Sequence, residues 1–342
     1  MKKVVILNDT SYENHHGCNR VMKNIIENLI SRDFHIIATL PIGDSWQDNS
    51  KFLSKIDEAD LVLINAEGTI HHNSQYGLNL LKVIDILDDK PSVLMNMTYQ
   101  DNSLEYIELI KRFTKVYVRE SMSQKELAHY GITSTVVPDM TFYSRYDCQI
   151  VRGGNMCITD SHDINKSKRL YELSKKMGYI FLPVLSSYHK YYNLKGYSKK
   201  VKYGFFEKYG KFLDKFLNLK YGYKRYSYVM PEEIYIDTLQ KAKCIISARF
   251  HVICFALQTK TPFIAIDSNT HKIESMLKDV GLKDRIVDFN SDILTNNRDC
   301  NFNKDELIKV DNYLDLAKVK ISKMFDEISK LEVRTNIDEQ TI

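Results

Sequence analysis

The chain of 342 residues is 44% hydrophobic and carries 48 Lys and Arg against 44 Asp and Glu. This length suits two domains, each able to bury a core, and with only 13 Gly and 6 Pro no tract of low complexity appears, which excludes extended disorder away from the ends. The six Cys form no CxxC pair, which argues against a zinc cluster, and a net charge of +4 argues against a nucleic-acid binder driven by bulk basicity.

The elements follow in chain order. Met1-Lys2-Lys3 precedes Val4–Leu7, a short apolar run that reads as a buried parallel strand. It is too short for the apolar region of a signal peptide, and no stretch approaches the roughly 20 apolar residues that span a bilayer. A cytoplasmic protein is expected, with contact at the inner face of the membrane open to it, and its thiols are expected to be reduced and buried. A helix follows, starting near Asn19, with Val21, Ile25, Ile26, Leu29 and Ile30 on one face. Strands are predicted at Ile36–Leu40, Leu61–Ile64, Val93–Met97, Lys115–Val118 and Val136-Val137. Helices are predicted at Leu78–Leu87, Leu104–Phe113 and Ser123–Tyr130, the last closed by Gly131. Met140–Asn155 reads as a linker. A second series follows: strand Met156–Thr159, helix Lys166–Lys176, strand Tyr179–Val184, helix Pro231–Lys241, strand Cys244–Ser247, helix Phe250–Leu257, strand Phe263–Ile266 and a long helix from Lys304 to Leu331. Alternating strands and helices predict an α/β protein with two Rossmann-like domains, residues 1–145 and 156–330, and an inter-domain cleft.

Ligands of such sheets bind at the carboxyl ends of the strands, so polar residues just after an apolar strand are the candidates. After the first strand come Asn8 and, at the next helix, His15 and His16. Two adjacent histidines point in different directions, and no metal site is expected from them. Neither GxGxxG nor GxxxxGK[ST] is present. After the third strand, Glu67 stands beside Gly68 and His71-His72, a carboxylate suited to general acid–base work or to capping the next helix. Arg119 follows the fifth strand, where it can pair with Glu120 or Glu67 or hold an anion. Asp139 closes the first half and Asp160-Ser161 opens the second. Each carboxylate reads as a base or nucleophile, or as a helix cap. The strongest local signal is Ser247-Ala-Arg249-Phe-His251. There a buried strand turns into an apolar helix, placing a guanidinium and free N–H groups where a phosphate or carboxylate is the natural guest. The catalytic candidates are thus Asp160, Glu67, Asp139 and His251. The anion-binding candidates are Arg249, Ser247, Ser161, Lys272, Asn8, His16 and Arg119.

With these residues in place, the sequence resembles the polysaccharide pyruvyl transferase family. The likeness rests on Ser247, Arg249, His251, the Pro262–Ile266 strand, Lys272 and Gly281-Leu282, with Arg119-Glu120-Ser121 and Pro138-Asp139 in matching order, and it spans residues 4–285. It implies a GT-B-like pair of Rossmann domains and transfer of a pyruvyl group from phosphoenolpyruvate to a sugar hydroxyl of a bacterial cell-surface glycan. Arg249 and His251 would hold the donor, and no cofactor is implied. The early loop, Asn8-Asp9-Thr10-Ser11, departs from the family's Asn-x-Gly-Asp pattern. That departure is similar to a branch containing bacterial β-Kdo glycosyltransferases, which take Kdo from CMP-Kdo with an Asp nucleophile; here that is Asp160, or else Asp139. A non-catalytic module binding sugar or nucleotide is the reading from a different class.

Residues 190–225 form a basic insertion, with eleven Lys and Arg against Glu207 and Asp214, threaded with Tyr and Phe. It reads as a lid on anionic lipid beside a lipid-linked acceptor, as a sugar-binding surface, or as a solvated hairpin. The near-neutral balance elsewhere speaks against nucleic acid.

Overall fold

In the computed structural model of the chain, residues 1–13, 15–146, 153–186, 215, 218–225, 232–290 and 300–332 are described. Most of the basic insertion, and Cys148 in the linker, lie outside them. The chain divides into two units. The first comprises Met1–Thr10, Met22–Met140 and the residues from Ala317 onward; the second comprises Ser11–Val21 and Thr141–Leu316.

The first unit is built on six parallel strands: β1 (Lys2–Asp9), β2 (Phe34–Pro41), β3 (Leu61–Asn65), β4 (Ser92–Met97), β5 (Lys115–Val118) and β6 (Thr135–Val136). Their order is β2-β1-β3-β4-β5-β6. Val4 to Leu7 are fully buried, as a strand covered on both faces must be. The chain steps from β1 out to β2 and then returns to the other side of β1 with β3, so the order reverses between β1 and β3. That reversal opens a crevice at their carboxyl ends.

Helix α1 (His16–Ile30) begins a turn earlier than the apolar pattern suggests, because His15 caps it. Helix α2 (Ser50–Glu58) escapes a reading by periodicity, since it buries only Phe52 and Ile56; Asn49 caps it by accepting the Phe52 N–H at 3.1 Å. The predicted helix at Leu78–Leu87 is instead α3 (Gln75–Leu81), capped by Ser74, followed by a 3₁₀ turn over Lys82–Ile86. Helices α4 (Leu104–Ile110) and α5 (Ser121–His129) lie where the sequence puts them.

The second unit carries five parallel strands: β7 (Cys157–Ile158), β8 (Ile180–Phe181), β9 (Ile245–Ser247), β10 (Phe263–Ile266) and β11 (Ile286–Val287), in the order β11-β10-β9-β7-β8. Here the reversal falls between β7 and β9. β8 is shorter than the Tyr179–Val184 strand expected. Pro183 has no N–H to give a ladder, and the Val184 N–H is taken by Asp160. The helices are α6 (Ile164–Met177), α7 (Glu232–Gln240), α8 (Phe250–Gln258) and α9 (Lys272–Val280), and α10 (Lys304–Ser329) ends the series. Asp163 caps α6 through the Lys166 N–H, and Gly178 closes it at φ 68°. All nine residues of α8 are buried, which explains its unbroken apolar run.

Cys244 and Cys300 are joined as a disulfide with Cα atoms 6.4 Å apart, where reduced thiols were expected, while Cys18, Cys157 and Cys254 are buried and lie outside that disulfide. Arg285 fixes the loop that brings Cys300 to β9. It donates to the Cys300 carbonyl at 2.9 Å and grips Glu306 through two bonds of 2.8 Å. Among the described residues no helix is long and apolar enough to cross a membrane.

Candidate functional site

In the second unit the residues after β7 and β9 meet at the switch point. Thr159 and Ser247, one from each strand, share a hydrogen bond of 2.7 Å between their hydroxyls. Ser247 Oγ also accepts the Arg249 N–H at 3.0 Å, which turns the chain from β9 into α8 and makes Arg249 the residue that opens the helix. Its guanidinium meets Asp160, with Nε at 3.1 Å from Oδ2 and Nη2 bonded to the same oxygen. The other carboxylate oxygen of Asp160 accepts the Val184 N–H at 2.9 Å. Asp160 is wholly buried. Its charge is thus matched by Arg249, and the β7, β8 and β9 ends are laced together around one carboxylate.

The start of α1 completes this site. His15 forms a bridge with Leu185 beyond β8. Its Nδ1 accepts the N–H groups of Gly17 at 3.1 Å and Cys18 at 3.4 Å, serving as a side-chain cap. The His15 and His251 rings meet edge to face with centroids 5.2 Å apart, and His16 stacks on Tyr235 at 4.3 Å. Gly17 is what allows this approach: a Cβ there would overlap the His251 ring. Two helix amino ends, those of α1 and α8, therefore share one site with Arg249, which favours an anion.

The electrostatics agree. Burial, then the charges of His251, Arg249, His16 and Lys272, hold the His15 pKa well below the usual histidine value. Desolvation, followed by Arg249, Lys272 and Arg225, lowers that of His162. Both shifts favour the neutral imidazole, first because desolvation penalises its charged form and then because the neighbouring side chains are cationic. Ser161 is tied to the start of α6: its N–H donates to Ser167 Oγ at 3.0 Å and its hydroxyl accepts the Asp163 N–H at 3.2 Å.

In the first unit a smaller polar cluster sits at the carboxyl ends of β1 and β3. Asn8 adopts φ 62° and donates from Nδ2 to the Asn65 carbonyl at 2.6 Å, while Tyr76 donates to its Oδ1 at 3.0 Å. Thr10 donates to Glu67 Oε2 at 2.8 Å. Arg119 pairs with Asp139 at 3.0 Å, both fully buried, and bonds Thr98 through Nε at 2.7 Å. Glu120 caps α5, accepting the Ser123 N–H at 3.0 Å.

A family model described as polysaccharide pyruvyl transferase matches residues 7–270. The chain belongs to the polysaccharide pyruvyl transferase family. As a member of that family it is a polysaccharide-modifying transferase. No curated protein sequence matches it. Among solved structures it is similar to the UDP-GlcNAc 2-epimerase of Methanocaldococcus jannaschii in complex with UDP-GlcNAc and UDP. The TM-score is 0.51 at 13% identity, covering 92% of this chain and 100% of that one. It is also similar to a functionally uncharacterized protein from Klebsiella pneumoniae subsp. pneumoniae NTUH-K2044, with TM-score 0.48, 12% identity and coverage of 85% and 94%. An alpha-glucosyltransferase in complex with UDP gives TM-score 0.41, 10% identity and 95% coverage of each chain. The epimerase likeness shows a shared GT-B-like fold class of two Rossmann-like units.

In this pyruvyl transferase-family chain, the residues marked in the sequence fall into three groups. Asp160, Ser247, Arg249, His251, His16 and Lys272 gather in the second unit, with Ser161 behind them. Asn8 and Glu67 share the β1–β3 cluster, and Arg119 and Asp139 form a separate buried pair. Sequence reasoning missed His15 as a cap, Gly17 as the point of closest approach and His162 beside the cationic side chains. The Gly within His15-His16-Gly17-Cys18 was the available signal, since a small residue at a helix start permits close packing.

Proposed function

We propose that the cationic site of the second unit binds phosphoenolpyruvate, and that the protein transfers its pyruvyl group to hydroxyls of a sugar in a bacterial cell-surface polysaccharide as a ketal. The observation that carries this reading is the state of Asp160. Both of its oxygens are engaged, one by Arg249 and one by the Val184 amide, inside a site dominated by positive charge. Such a site suits a donor bearing both phosphate and carboxylate. It suits less well a retaining transfer from CMP-Kdo, in which Asp160 would have to leave Arg249 and attack carbon.

In the reaction, two acceptor oxygens bond to C2 of the donor. The methylene carbon takes one hydroxyl proton and becomes a methyl group. The C2–O bond to phosphate breaks, and phosphate leaves with the other proton. We assign Arg249, Lys272 and the first-turn amides of α8 to the donor's anionic groups, with His251 and His16 lining the cradle. His162, held neutral, is assigned to take a hydroxyl proton. Asp160 and Ser247 orient Arg249. In the first unit Asp139 with Arg119 serves as an internal strut. The acceptor is a sugar, free or lipid-linked, and residues 190–225 are proposed to meet a membrane surface when it is lipid-linked.

Thermal-shift titration tests donor choice. Phosphoenolpyruvate at a hundred times its Kd should stabilise the protein by about 2.7 kcal/mol, and Arg249→Ala should abolish the shift. A shift from CMP-Kdo alone would favour the glycosyltransferase reading. A shift from either donor without turnover would favour a binding module.

A further inference from the structure

We infer that His15, Cys18 and His251 form a binding site for one divalent transition metal of the zinc and cobalt type. One donor atom from each residue, a ring nitrogen or the thiol sulfur, lies within 4.8 Å of the others, and all three residues are buried. In tetrahedral zinc sites, bonds of about 2.0–2.3 Å set neighbouring ligand atoms roughly 3.5 Å apart. The cluster must therefore close by about an ångström, a movement small enough for side-chain rotation alone.

The fold explains why these three residues meet. His15 and Cys18 stand three residues apart at the start of α1 and so share one face of its first turn. His251 reaches them from α8 across Gly17, whose missing side chain leaves room for the ring. Two imidazoles and a thiol are the borderline-soft donors that zinc and cobalt take, whereas magnesium and calcium require oxygen. Glu13 lies 3.6 Å from the Cys18 sulfur, and its carboxylate can be a fourth ligand or hold the third in place. The amide contacts at His15 Nδ1 are 3.1 and 3.4 Å. A metal at that nitrogen would release two N–H groups to an anion bound at the helix end. The cost of a cation here is reduced by Asp160, which matches Arg249, and by the thiolate itself. Binding converts the Cys18 thiol to thiolate and releases one proton to solvent. Three protein ligands with a fourth position open to exchange would add positive charge to the anion cradle. The inference places the metal in the pocket assigned above to the donor, yet it holds whichever donor is used.

The test is a cobalt titration of the full-length protein after chelator treatment and dialysis. One equivalent of cobalt(II) should produce a thiolate-to-cobalt absorption band that zinc(II) then removes, with one proton released per metal. His15→Phe retains every cysteine and should weaken binding more than about 100-fold, as should Cys18→Ser. Circular dichroism establishes that both variants are folded. If either is not, the stoichiometric band and proton release of the unaltered chain decide alone. Absence of a band at one equivalent of cobalt, or a band unchanged in folded His15→Phe, overturns the inference.

Discussion

Asp160 divides the possible chemistries of the site. If it orients Arg249, as proposed here, Asp160→Asn retains the shape and loses charge-assisted hydrogen bonds worth about 1.5–3 kcal/mol, a fall of roughly 10–100-fold in kcat/KM with phosphoenolpyruvate. Loss beyond about 10⁴-fold would mark it as a group that reacts. Gly17 offers a second test. Gly17→Ala forces a methyl group into the His251 ring. The overpacking should cost about 1–3 kcal/mol, measured as a lower Cm in urea, and should weaken phosphoenolpyruvate binding by parting α1 from α8. His162 sets the pH dependence. Burial and the charges of Arg249, Lys272 and Arg225 lower its pKa, so its neutral, proton-accepting form persists to more acidic pH than in free histidine. The rate should climb with pH as His162 loses its proton and reach half its plateau below pH 6.5, and His162→Gln should flatten that limb. A limb centred above 6.5, or one unchanged in the variant, would remove His162 from the mechanism. None of these three roles could be read from residue type alone, because each depends on a neighbour far away in sequence: Val184, His251 and Arg225.

At the scale of elements, the central strands were legible because they are apolar runs covered on both faces, as in Val4–Leu7 and Cys244–Ser247, whereas β11, two residues long and only half-buried, gave no such run. Short amphipathic helices were less so. α2 buries two residues and announces itself chiefly through its Asn49 cap. α9 carried a readable pattern in Ile273, Met276, Leu277 and Val280. β8 ends short of the apolar residues around it because Pro183 has no N–H to give the ladder. The Arg119–Asp139 pair links the ends of β5 and β6, which the sequence suggested only as two separate charges. Arg119→Met removes the guanidinium from the buried Asp139 carboxylate and should destabilise the protein by about 3–5 kcal/mol, while the double variant Arg119→Met, Asp139→Leu should recover most of that loss. Chemical denaturation of the single and double variants checks this. An equally unstable double variant would show that Thr98 and the backbone, not the ion pair, hold the position.

For the molecule as a whole, two α/β units could be read from the alternation of elements, and Ser247-Ala-Arg249-Phe-His251 marked the turn from β9 into α8. Less legible was the exchange of chain between the units, in which Ser11–Val21 belongs with the second and the residues from Ala317 with the first. Periodicity reports where a helix lies but not which sheet it covers, so α1 and α10 gave no sign that they pass from one unit to the other. That exchange has a functional consequence, since it is the opening turn of α1 that brings His15, His16 and Gly17 to Arg249 and His251. The central claim is that this site activates phosphoenolpyruvate for transfer to a glycan. Its most direct measurement is a reaction of the full-length protein with a synthetic sugar acceptor and either phosphoenolpyruvate or CMP-Kdo, followed by product mass and phosphate release. The expected result is a pyruvyl ketal on the acceptor with one phosphate released per product, and no product from CMP-Kdo. A Kdo-bearing product, with CMP released and phosphoenolpyruvate untouched, would contradict it.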